Sequence, residues 1–176
     1  MMLTGCFGTP TETELKNGDI VFRNSDKMLA IATGSKYTHC GIIFHENGKT
    51  YVYEAVGPVK RTLYSEWITG KNISIKRYEQ LTESQTIAIK SYLTSQLGKR
   101  YDKAYNWDDS KMYCSELVWK AYNHAGIKLC DLTKGSDYFA SRIPKIRKYF
   151  ESRGVRLDNY MVSPAEILKS NKLKTI

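Results

Sequence analysis

The sequence predicts an α+β fold, a small antiparallel sheet or partial barrel with helices packed against it. Three observations carry this. Two apolar runs flank Asn47-Gly48, the strongest short signal for a β-hairpin. Residues 82–97 open on a Thr82–Gln85 capping box and carry Ile89, Leu93 and Leu97 at i+4 spacing, the pattern of an amphipathic helix. A chain of 176 residues fits one domain and can bury an ordinary core without disulfides or a structural metal.

Taken in order, residues 1–14 read as a flexible lead that runs out by Asn17-Gly18, and 15–176 as the folded domain. Asp19 to Arg23 reads as a strand. Asp26 to Thr33 reads as a short helix, with Ser25 as its cap and Gly34 as its stop. Cys40 to Phe44 and Tyr51 to Ala55 are the two hairpin strands. Residues 72–77 alternate, with Ile73 and Ile75 on one face, and form another strand. Gly98 ends the helix of residues 82–97. A second helix starts near Cys114, carries Leu117, Val118, Ala121 and Ala125 on one face, and stops at Gly126. Pro144 opens a basic helix. Ser163-Pro164-Ala165-Glu166 is a further capping box, with proline at the first helical position.

The net charge of +9 favours anionic partners such as a membrane surface. Basic residues are spread from Lys16 to Lys174 without forming a stripe, so a solvated basic surface is favoured over a nucleic-acid site. No segment approaches the roughly 18 apolar residues of a membrane span. The four cysteines are Cys6, Cys40, Cys114 and Cys130, and none has C-x-x-C spacing. His39 and Cys40 are neighbours on a strand and point to opposite faces, which does not suit a shared metal. Neither a metal nor a cofactor is expected. Leu3-Thr4-Gly5-Cys6 resembles a bacterial lipobox, although the charged and apolar regions of a signal peptide are missing ahead of it. Either the start has been trimmed or the match is chance. A true lipobox makes Cys6 a lipid anchor and places the protein in a bacterial periplasm or cell envelope, whereas a complete N-terminus points to the cytoplasm.

The hairpin can be taken further. With Asn47-Gly48 as a two-residue turn, Glu46 faces Lys49, Ile43 faces Val52, Gly41 faces Glu54 and His39 faces Val56. Opposed residues share a sheet face, and so do residues two apart. His39 and Glu54 are therefore diagonal neighbours about 7–8 Å apart at the backbone, close enough for their side chains to hydrogen-bond. Gly41 beside them has no side chain to intrude. A carboxylate so placed fixes the ring's orientation and stabilises the imidazolium, as in a catalytic arrangement; the alternative is a structural ion pair.

Tyr113-Cys114-Ser115-Glu116 precedes the run Leu117-Val118-Trp119, which puts Cys114 in the first turn of a helix. There the unpaired N–H groups and the helix dipole favour a thiolate, and the same N–H groups can hold an oxyanion. Cys114 is therefore the candidate nucleophile, while Cys40 and Cys130 read as buried, inert cysteines. His124, near a helix end, reads as structural, and His45 beside the turn as exposed. Asp102, Asp108 and Asp109 around Trp107 read as ordinary loop polarity rather than cleft lining. Tyrosine is amphipathic and often lines clefts. Among the 13 tyrosines, Tyr37, Tyr113 and Tyr160 are the expected substrate-binding residues.

The runs LKNGDIVFRNS, GSKYTHCGIIF, YVYEAVGPVKRTLYSEWI, LGKRYD and YCSELVWKAY, with VSPAEI near the end, resemble the YiiX-like permuted papain-like amidases. These are relatives of the NlpC-type cell-wall peptidases and of lecithin retinol acyltransferase. The likeness spans about residues 15 to 170, in order. It implies a circularly permuted papain-like fold, because Gly18-Asp19 and His39 precede the cysteine block instead of following it. It also implies a triad of Cys114, His39 and Glu54, with Thr38 where many relatives have serine. The implied chemistry is acyl transfer through a thioester: Cys114 attacks a carbonyl, His39 moves the proton, and Glu54 orients His39. The expected activity is an amidase or peptidase acting on a cell-envelope peptide or small amide. Two alternatives remain, a lipid acyl hydrolase or acyltransferase on the same triad, and an inactive binding module.

Overall fold

The computed structural model describes residues 10–139 and 144–176, and the lipobox-like Leu3–Cys6 lies outside them. Six strands form one sheet: β1 (Ile20–Arg23), β2 (His39–Glu46), β3 (Lys49–Ala55), β4 (Val59–Leu63), β5 (Ile73–Arg77) and the C-terminal β8 (Lys174–Thr175). Their order is β4-β3-β2-β1-β5-β8, and every neighbouring pair is antiparallel. The helices are α1 (Lys27–Thr33), α2 (Tyr64–Ile68), α3 (Glu83–Ser95), α4 (Cys114–His124), α5 (Gly135–Phe139), α6 (Pro144–Glu151) and α7 (Pro164–Leu168). A two-stranded ribbon pairs β6 (Thr133–Lys134) with β7 (Tyr160–Met161).

Strand alternation sorts the apolar residues into two layers. Ile20, Phe22, Cys40, Ile42 and Phe44 face α3 and α4, where they meet Ile89, Leu93, Leu117, Val118 and Ala121. Val21, Ile43, Val52 and Ile75 face the other way and are covered by Leu15 and by Tyr64 and Trp67 of α2. Both sheet faces are thus buried. The register of the hairpin is the one its turn dictates, with Ile43 opposite Val52 and Glu46 opposite Lys49. Asn47 and Gly48 both have positive φ, 49° and 73°, as a two-residue hairpin turn of this kind requires.

The structure corrects two readings. The cap of α1 is Asp26, not Ser25, because the Asp26 carboxylate accepts the N–H groups of Met28 and Leu29 at 2.8 and 3.0 Å. The N–H of Ser25 is instead held by Thr38 Oγ1 at 2.9 Å. The end of the lead is held to the sheet. Glu12–Glu14 form a 3-10 turn, Leu15 is buried, and its carbonyl bonds His45 Nε2 at 2.8 Å. The buried Asp19 carboxylate accepts Lys16 N–H and pairs with Arg77, whose Nε donates to it at 2.7 Å. That network fastens the lead to β5.

Candidate active site

The site is assembled where β2 begins, β3 ends and α4 begins. His39 is the first residue of β2, and its Nε2 lies 2.6 Å from Glu54 Oε2 on β3. Gly41, two residues along β2 from His39, faces β3 beside the pair. A Cβ there would lie 2.5 Å from Val52 Cγ1, 2.6 Å from the Tyr53 carbonyl and 3.4 Å from Glu54 Cβ, so no larger residue fits. Glu54 is buried among donors. Thr62 Oγ1 of β4 donates to Oε1 at 2.7 Å, Trp67 Nε1 of α2 donates to Oε2 at 2.7 Å, and Arg23 Nη2 stands at 3.6 Å. Burial works against the charged carboxylate, but these bonds and the His39 charge outweigh it and hold Glu54 at about 2. Trp67 also stacks on the imidazole, with ring centres 5.8 Å apart, so the ring is fixed on its edge and on its face.

Cys114 is the first residue of α4, with Tyr113 at the N-cap, and is buried. Its sulfur neighbours the His39 ring closely enough that each favours the other's charged form. Glu54 occupies Nε2 of the ring, so Nδ1 is the nitrogen left for the sulfur. The neighbouring Cys40 first, and then His39, lower the Cys114 thiol well below its ordinary value against the effect of burial. Burial lowers His39, but the bonds and charges of Cys114 and Glu54 win and raise it to about 9. Both shifts run in the same direction and favour a thiolate beside an imidazolium. Strand alternation sends the Cys40 side chain to the α4 side of the sheet, and the helix start lies where residues 39 and 40 both reach it.

The structure brings Cys114, His39 and Glu54 together, and it separates the three tyrosines from the clefts beside them. Tyr113 is 1% exposed; its ring packs between Tyr105 and Trp107, and its oxygen accepts the Val162 N–H. It serves the core and offers no face to a ligand. Tyr37 is half-buried, and its hydroxyl donates to the Ile73 carbonyl. Tyr160 is half exposed on β7, with Lys134 over its ring. The aromatic walls are instead Tyr101, Tyr105 and Tyr138. Tyr105 takes a φ of 52°, rare for an aromatic residue. Buried Asp102 holds it there by accepting the N–H groups of Ala104 and Asn106 on either side. Asp108 is spent on Ser110 and Asp109 on Lys120, in keeping with loop polarity.

The sequence reading missed Thr62 and Trp67, although strand parity places Thr62, opposite Val52, on the face of Glu54. No comparable pattern marks Trp67, which reaches the site only through the turn of chain into α2. Among the described residues, no three His, Cys, Asp or Glu side chains cluster as metal ligands would. No helix among them is long and apolar enough to cross a membrane.

Comparison with known proteins agrees with this frame. Residues 14–176 match the model of the family described as permuted papain-like amidase enzyme, YaeF/YiiX, C92 family. The uncharacterized protein YiiX of Escherichia coli (strain K12) is 33% identical over 174 residues, spanning 92% of this chain and 85% of that protein. A crystal structure of YiiX from Escherichia coli O157:H7, described as a metalloprotein, superposes with a TM-score of 0.85 at 34% identity, covering 92% of this chain and 96% of that one. With its antiparallel sheet, its helices and its cysteine block placed last, the chain belongs to the YaeF/YiiX family of permuted papain-like amidases.

Proposed function

We propose that the protein is a cysteine amidase in which Cys114 is the nucleophile, His39 the acid and base, and Glu54 the group that orients and charges His39. The observation that carries this is the 2.6 Å bond from His39 to Glu54, made by a ring that also neighbours the Cys114 sulfur at the start of α4. Catalysis begins with the Cys114 thiolate attacking a carbonyl carbon. The helix-start N–H groups stabilise the oxyanion. As the carbon–nitrogen bond breaks, the His39 proton passes to the departing amine and leaves a thioester. His39 then takes a proton from water, which attacks the thioester and frees Cys114. The substrate class we favour is a peptide or small amide of the cell envelope, and the basic surface suits an anionic membrane nearby.

Iodoacetamide tests the reading. Cys114 is expected to react far faster than Cys40 or Cys130, and His39→Ala to slow that reaction. Equal labelling of the three cysteines in the folded protein contradicts it. A second reading, lipid acyl transfer on the same residues, draws on the apolar pocket beside Cys114. Labelled phospholipid would then leave an acyl group on Cys114.

A further inference from the structure

The cleft has two halves of opposite character, and the thioester mechanism assigns an occupant to each. The acyl part of a substrate becomes bonded to sulfur, so it occupies the half that contains Cys114. The amine must lie where His39 can protonate it, so it occupies the half that contains His39. This inference rests on the amidase reading above.

The Cys114 half is apolar, walled by Leu29, Tyr105, Met161, Val162 and Pro164. Its two serines are turned to internal use. Ser115 Oγ donates to the Val162 carbonyl at 2.8 Å, and Ser163 Oγ accepts the Glu166 N–H as the cap of α7. The His39 half is open, with about 710 Å³ of empty space, and carries Lys103, Arg153 and Asp26 on its walls. Lys103 is exposed. Arg153 is held by one hydrogen bond, from Nη1 to Tyr149 Oη at 2.6 Å, and its ring contact with Tyr149 fixes the guanidinium in place. Asp26 offsets only part of this charge. One of its oxygens caps α1, the other forms a long ion pair with Arg153 Nη1 at 3.9 Å, and one carboxylate against Lys103 and Arg153 leaves the wall net positive. A basic half with a positioned guanidinium matches a carboxylate, which such a fork binds through paired hydrogen bonds.

We infer that the leaving amine carries a carboxylate, recognised by Arg153 and Lys103 on the His39 side of the cleft, while the acyl group is uncharged and apolar. The protein would thus cleave an apolar acyl group from an acidic amine, such as the amino group of an amino acid or peptide.

Three synthetic amides test this. Phenylacetyl-glycine has an apolar acyl group and an anionic leaving amine. Phenylacetyl-glycinamide differs by that one charge. Succinyl-benzylamide places the carboxylate on the acyl side instead. Wild-type protein is expected to prefer phenylacetyl-glycine over each of the others by about tenfold or more in kcat/KM, the scale of one charge-assisted hydrogen bond. In Arg153→Gln and in Lys103→Gln the ratio between the first two substrates should fall toward one. Lys103 is exposed, so its variant tests recognition without disturbing the fold. The same three compounds are also titrated into Cys114→Ala protein by calorimetry, which measures recognition without chemistry. Equal turnover or equal binding of the three, or a preference for succinyl-benzylamide, overturns the inference even if Cys114 proves catalytic. Absence of turnover in the wild type counts against the amidase reading, and the binding ratios then decide the charge preference alone.

Discussion

Nε2 of His39 lies 2.6 Å from Oε2 of Glu54, across a hairpin whose turn is only two residues long. The short turn fixes the register, and the register puts the two side chains on one face. The same carboxylate accepts bonds from β4 and α2, so β2, β4 and α2 all converge on one side chain of β3.

Replacing Glu54 with Gln keeps the size and an acceptor oxygen but removes the charge. If Glu54 stabilises the imidazolium, kcat for an amide should fall by about 10²-fold or more, with the fold retained by circular dichroism. Unchanged turnover would reduce Glu54 to a structural partner.

The pH profile should separate the two steps. His39 is raised from an ordinary value near 6.5 to about 9, so it keeps its proton through neutral pH and loses it as pH rises through about 9. The stability gained from its pairing is complete below about 6.5 and lost over the same rise. Amide turnover should therefore fall above about pH 9, because the leaving amine finds no proton. Alkylation of Cys114 should stay fast there, since the thiolate persists. In His39→Ala, alkylation near neutral pH should slow and should rise toward the ordinary thiol value of about 8.5. A turnover profile still climbing well above pH 9 would contradict this.

Trp67→Phe removes one donor from Glu54 and keeps a ring over His39. Glu54 is held at about 2, so its contribution to stability is present above about 4.5 and lost as pH falls through 2. With one donor gone, that loss should begin at higher pH. The variant should be less stable by about 1 kcal/mol at pH 7 and show an earlier acid unfolding midpoint.

Gly41→Ala places a methyl 2.5 Å from Val52 Cγ1 and 2.6 Å from the Tyr53 carbonyl. The Tyr53 carbonyl is backbone and cannot yield without moving the sheet. Urea unfolding should show a loss of about 1–3 kcal/mol. Alkylation of Cys114 in the remaining folded protein should slow as Glu54 is displaced.

Asp19→Asn should cost about 1–3 kcal/mol in the same assay, because it leaves the Arg77 guanidinium without its buried partner. Alkylation of folded Cys114 should not change, which distinguishes a fastening role for Asp19 from a chemical one.

Local rules determined much of this protein from sequence alone. The Asn-Gly turn fixed the hairpin register and hence the His39–Glu54 diagonal. Capping patterns placed α3 and α7, and Cys114 falls at a helix start because Tyr113-Cys114-Ser115-Glu116 leads into an apolar run. Each of these depends on a few contiguous residues, so each is legible without the fold. What surrounds the triad depends on packing between distant segments. Trp67 reaches Glu54 only because α2 folds back over β2 and β3, and Cys40 reaches Cys114 only because α4 begins beside the start of β2. Tyr113, adjacent to Cys114, turns into the core, while Tyr105, nine positions away, walls the cleft because Asp102 holds its loop in a left-handed turn. Backbone periodicity dictates which face a side chain takes within its own element. Which neighbour covers that face is decided by how the whole chain closes around its core.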